Sequence, residues 1–138
     1  MAAKIEFGPY PCGPTGRTAT PVTNSATGTT GAVTATLPGG GVNILTYISG
    51  FEITFSNPTA GVTLGITVTG VQGGTLNYTQ QVLAAGAAVP PPVPMIVEFP
   101  EPLPASALNG AIAVVVPALG AGATGISVVA HGFQVDVS

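Results

Sequence analysis

Charge is what this chain has least of. Only 5% of its 138 residues are Asp, Glu, Lys or Arg, against about a quarter in an ordinary soluble domain. The two cations are Lys4 and Arg17. They cannot form a basic patch, which argues against nucleic acid as a partner. There is no tryptophan, and the single cysteine, Cys12, cannot close a disulfide within the chain. A reduced thiol from cytoplasmic synthesis is the expectation. One histidine, His131, and five scattered acids give no set of metal ligands, and no cofactor is expected. No stretch carries a capped apolar stripe of helical period, so neither a helix nor a helix-borne phosphate loop is expected.

Segments that target or span are not expected either. The start, Met1 to Phe7, has no apolar core followed by a cleavage site, so no signal peptide is expected. Residues 105–130 are apolar enough to resemble a membrane span. They are broken by Asn109-Gly110, Pro117, Gly120, Gly122 and Gly125, and lack flanking basic or Trp anchors, so they read as short strands.

What is there is an apolar, turn-rich chain: 46% hydrophobic residues, 20 glycines and 14 prolines. The length fits one domain. With so few charges, the polar surface must come from Thr, Ser, Asn, Gln and backbone. Monomers use charge to stay soluble and apart, so a neutral surface is expected to be covered by partners in an assembly. A Thr-rich extracellular β domain is the other reading of the same composition.

Residues 1–30 are expected to be an extended arm. They hold Pro9, Pro11, Pro14 and Pro21 and few large apolar side chains, with Ile5 and Phe7 able to form a short first strand. From residue 31 to 138 the pattern is that of a β-sandwich. Val62, Leu64, Ile66 and Val68 share one face while Thr63, Thr67 and Thr69 share the other, the period of two that marks a half-buried strand. Val33, Ala35 and Leu37 alternate likewise, as do Phe51, Ile53 and Phe55, and Val93, Met95, Val97 and Phe99. Residues 43–48 and 111–116 are apolar on both faces, which suits central strands or a subunit interface. In the last segment the apolar parity changes near Val128-Val129, and a bulge is expected there.

Gly39-Gly40-Gly41, Gly73-Gly74, Asn109-Gly110 and Gly120-Ala121-Gly122 separate the runs. About eight short strands and no helix predict an all-β antiparallel sandwich, jelly-roll-like, with an immunoglobulin-like sandwich as the alternative.

Catalysis needs reactive groups held close together. His131 shares strand parity with Phe133 and Val135, so a partly buried histidine facing the apolar side is expected. Asp136 falls on the opposite face and cannot orient its ring. Glu98 and Glu101 flank Phe99-Pro100, where solvated charge explains them better than glycoside hydrolysis does. No enzymatic activity is expected.

The run Ile96-Val97-Glu98-Phe99-Pro100-Glu101-Pro102-Leu103-Pro104-Ala105-Ser106 precedes the apolar strand at 111–116. With Pro117-Ala118-Leu119-Gly120, the closing His131-Gly132-Phe133 and Gly50-Phe51-Glu52-Ile53, it resembles the jelly-roll capsid decoration, or cement, proteins of short-tailed bacteriophages. The resemblance covers residue 31 onward. It implies a structural protein on the outer capsid surface of the virion, partnered by the major capsid protein and by itself as a homodimer or homotrimer. A receptor- or carbohydrate-binding β domain of a fibre or tail is the competing reading. It needs an aromatic pocket, and the only aromatics with a polar edge are Tyr10, Tyr47 and Tyr78. For shell contact the arm residues Ile5, Phe7 and Tyr10 are the candidates, and for self-association Ile44, Leu45, Tyr47 and Ile48.

Overall fold

The computed structural model describes residues 19–86 and 88–138. Ile5, Phe7 and Tyr10 lie outside them. Eight antiparallel strands follow in chain order: β1 (Thr20–Gly28), β2 (Val33–Leu37), β3 (Ile44–Phe55), β4 (Val62–Thr69), β5 (Leu76–Val82), β6 (Met95–Pro104), β7 (Ile112–Val116) and β8 (Ile126–Asp136). They form two four-stranded sheets, β1-β8-β3-β6 and β2-β7-β4-β5. Each strand pairs with its counterpart from the other end of the series: β1 with β8, β2 with β7, β3 with β6, β4 with β5. The chain is thus one long antiparallel hairpin, turning at Gly73 and Gly74 (φ +95° and +110°) and rolled into two layers. The β3–β8 and β4–β7 ladders close the roll. This is the jelly-roll arrangement.

The layers meet through the alternating residues. Leu37, Ile48, Phe51, Ile53, Ile66, Val114 and Val128 are fully buried between the sheets, each contributing roughly 1.5–3 kcal/mol of burial. Phe51 of one sheet meets Tyr78 of the other edge-on at 5.6 Å, and Phe99 at 6.3 Å.

Three features differ from the sequence expectation. Within the stretch expected as an arm, Thr20–Gly28 is a strand of the sandwich. It buries little beyond Val22 and Ala26, which pack on the core. Backbone pairing with β8 holds it, and the Asn24 side chain donates to the Thr36 carbonyl at 2.5 Å. Second, residues 43–48 and 51–55 belong to one strand, β3. The irregularity lies there, between Ile48 and Gly50, and not in β8. The extra residue, Ser49, lets Ile48 and Phe51 both face inward. β8 keeps a regular alternation, and its second apolar set, Phe133 and Val135, lies on the outer face. Third, β6 runs on through Pro100, Pro102 and Pro104; Pro100 and Pro102 fall between Glu98 and Leu103, where the register with β3 breaks, and Pro104 is tolerated because β6 is an edge strand, one side of whose backbone needs no donors.

At the far end of β3, Thr46 is fully buried. Its hydroxyl donates to the Pro38 carbonyl at 2.8 Å and accepts from the Gln134 side-chain amide at 3.2 Å. The Gln134 amide also donates to Pro38 at 2.8 Å. Thr46→Val removes the hydroxyl but leaves Pro38 its second donor. The expected loss is therefore about 1 kcal/mol, the cost of one net hydrogen bond, read as a shift of the urea midpoint.

Candidate interaction surfaces

With the inner faces sealed, anything this chain binds must meet its outer faces, edges or ends. The outer face of the β2-β7-β4-β5 sheet is defined by register. Thr34, Val115, Thr67 and Asn77 form one row across all four strands, and Thr36, Ala113 and Thr69 another. Thr63, Thr79 and Gln81 extend the face. Among the described residues no ionisable side chain stands on it. Alternation forces this outcome, since the positions between buried Leu64, Ile66 and Val68 are the Thr and Gly of β4.

The outer face of the other sheet carries the charge. His131 of β8 and Glu98 of β6 flank Gly50 of β3. The absent side chain of Gly50 leaves room for the carboxylate, which reaches His131 Nε2 at 3.4 Å. Both side chains are partly exposed, 32% and 62%, so the contact contributes little to stability. The parity His131 shares with Phe133 and Val135 is thus that of the outer face, and His131 does not face the core. Further along, Tyr47 stacks on Phe133 with ring centroids 4.8 Å apart. Phe133, Val135 and Ala19 form a second small buried cluster there.

This geometry redistributes the residues expected at a self-association site. Ile44, Leu45 and Tyr47 are half-buried. Ile48 is fully buried in the core and cannot meet a partner without unfolding. Both edges of β3 are taken, by β8 and β6. The two-sided apolar run is therefore the signature of a central strand.

Apolar side chains do surface at both ends of the sandwich. At one end, Val42, Leu108 and Val137 are exposed, Val42 by 77%. Hydrogen bonds from Gly41 to the Asn109 side chain, Asn109 to Ile44 and Val137 to Asn43 brace the segments that carry them. At the other end, Leu83 and Val93 are exposed on the walls of an open cleft of about 230 Å³ between the end of β5 and Pro90–Pro92. A second open depression of about 500 Å³ holds Ser56 among Thr and Gly residues. The Ser56 hydroxyl oxygen accepts from the Thr124 and Gly125 amides at 2.8 and 3.0 Å, so it anchors the β7–β8 loop. Among the described residues no three His, Cys, Asp or Glu side chains come together as metal ligands.

Burial raises the Tyr78 phenol above its usual 10.0 because the phenolate would lose solvation. The unfolded chain releases this proton first. The Tyr78 contribution to stability is therefore fully present below pH 10.0 and is lost as pH rises through the interval up to the folded value. A Tyr78→Phe variant is expected to lose that alkaline decline and its phenolate absorbance step, seen by titration at constant temperature.

No known protein family matches this chain, and no curated protein or solved structure does either.

Proposed function

We propose that this protein is a non-enzymatic virion component that binds the outside of a phage capsid and cements neighbouring major capsid subunits. The uncharged outer face of the β2-β7-β4-β5 sheet carries the reading. Its rows of Thr, Asn and Gln can be covered by another protein without taking a charge out of water, which is the costly step in burying a polar surface. The exposed apolar ends offer further area, and a specific interface needs roughly 1,200–2,000 Å² in total. The resemblance to phage decoration proteins points the same way. Ile5, Phe7 and Tyr10 remain the proposed arm contacts, and a deletion that tests them should stop at Thr18, because removing β1 would strip an edge from the sandwich.

The test is cryo-electron microscopy of capsids lacking the protein, mixed with the purified chain. Ordered density at repeated positions on the outer shell is the expected result. Occupancy should change little with salt, because few charges take part and screening has little to act on. Bare capsids with the protein on tails or host glycans would favour the fibre or receptor-binding reading. A steep loss of occupancy with salt would remove the neutral-face interface.

A further inference from the structure

Among the described residues four strands lie at sheet edges: β1 and β6 in one sheet, β2 and β5 in the other. An edge presents unpaired N–H and C=O groups, and proteins normally guard it with prolines, charges or brevity. β6 has Pro100, Pro102 and Pro104 with Glu98 and Glu101. β2 has only five residues, and Asn24 of β1 reaches across to it. β1 contains Pro21. β5 is the least guarded: among the described residues a side chain covers it only where the Gln80 amide donates to the Gln81 carbonyl at 3.2 Å. Its seven residues, Leu76–Val82, include no proline and no charge. Pro90–Pro92 stand across the cleft from its C-terminal end but have no N–H to offer. Among the described residues, the backbone N–H groups of that loop bond to Pro58 and Gly86 and not to β5.

We infer that β5 pairs antiparallel with β5 of a second copy about a two-fold axis at Thr79, joining two four-stranded sheets into one. The inference deepens the homodimer that the resemblance implies and rests on that part of the reading, not on shell contact. The strand is self-complementary in this register. Leu76 faces Val82 of the second copy, Asn77 faces Gln81, Tyr78 faces Gln80, and Thr79 faces its own counterpart. Inward-parity side chains meet inward-parity ones, and on the outward side amide meets amide. Thr–Thr pairs are favourable across strands, and no like charges oppose. Slipping by one residue would set the inward Leu76 against an outward polar position. The start of the second β5 enters the cleft beside Val82, so Leu76 covers apolar surface there. An isologous contact of this kind closes at two copies.

Sedimentation equilibrium of the full chain should show a monomer–dimer system. Asn77→Lys combined with Gln81→Lys sets lysines against each other in both halves of the register. It should yield monomer with an unchanged circular dichroism spectrum. Mixing it with Asn77→Glu combined with Gln81→Glu should restore a mixed dimer. In a Cys12→Ser background, Thr79→Cys should cross-link on oxidation, since facing Cα atoms lie about 4.5–5.5 Å apart, within disulfide reach. Asn77→Cys should not, because its counterpart lies four residues along, roughly 13 Å away. A wild-type monomer at every concentration, a trimer, a dimer untouched by the lysine pair, or equal cross-linking at 77 and 79 would each overturn the inference. None of these readouts involves the capsid. A monomer that decorates shells would refute the β5 pairing alone, and a dimer that ignores shells would refute the decoration alone.

Discussion

Phe51→Ala is expected to remove about 3–5 kcal/mol of stability, the range for emptying a buried aromatic site. Phe51 is fully buried and bridges the sheets. It extends from β3 to meet Tyr78 of β5 in the facing layer at 5.6 Å, with Phe99 of β6 beside it at 6.3 Å. The cavity would open where the two layers touch, and strands on opposite sheets cannot both relax into it. Since domains hold only about 5–15 kcal/mol in total, this single change removes a large share. Urea denaturation followed by far-ultraviolet circular dichroism measures it. The midpoint should fall with the slope unchanged, because the surface exposed on unfolding stays the same. A loss under about 1 kcal/mol would mean the aromatic contact does not join the layers.

Gly132→Ala is expected to cost at least about 4 kcal/mol or to prevent folding, in the class of backbone overlap that no side-chain rotation relieves. Gly132 sits opposite Ile48, where β3 passes through its bulge. A Cβ there would overlap the Tyr47 carbonyl oxygen and lie 2.9 Å from the carbonyl carbon. Both atoms belong to backbone that is already paired. Gly65→Ala is the matched control. Gly65 lies on the outer face of β4 with open space around its would-be Cβ, so alanine should be neutral or stabilise by about 0.5–1 kcal/mol through reduced chain freedom. Equal effects at the two positions would show that glycine content, and not close approach at the bulge, sets the cost.

The parts of the fold legible in the sequence are those where burial alone makes the strand. Leu64, Ile66 and Val68, or Val33, Ala35 and Leu37, alternate because one side faces oil and the other water, and that constraint leaves a readable period. β1 and β5 do not show it as strongly. Their inward positions include Asn24 and Gln80, because an edge strand is held mainly by its ladder, and backbone pairing leaves little mark on side-chain choice. The bulge was legible as a need but not as a place. Val128 and Val129 signal a change of face, whereas the change occurs in the neighbouring strand at Ser49. Ile48, within the run expected to self-associate, lies in the core for a related reason. A run apolar on both sides reads the same at the centre of a sheet as at an interface. Only the pairing of β3 with both β6 and β8 tells the two apart, and that is information about partners distant in sequence.

The pairing of first strand with last has a consequence in time. As the chain leaves the ribosome, the β4–β5 hairpin is the first long pair that can close, since its strands are neighbours in sequence. β3 must then wait for β6, β2 for β7, and β1 for β8. Each step closes a longer loop around the one before, so assembly zips outward from the Gly73-Gly74 turn, and high sequence separation makes the later steps slow. Until β6 arrives β3 stands bare on both sides, and from then until β8 arrives it keeps one open edge, with Ile48, Phe51 and Ile53 still lacking the strand that completes their cover. The nascent chain is thus at its most adhesive just before β8 arrives, and that single strand both fills the sheet and ends the exposure.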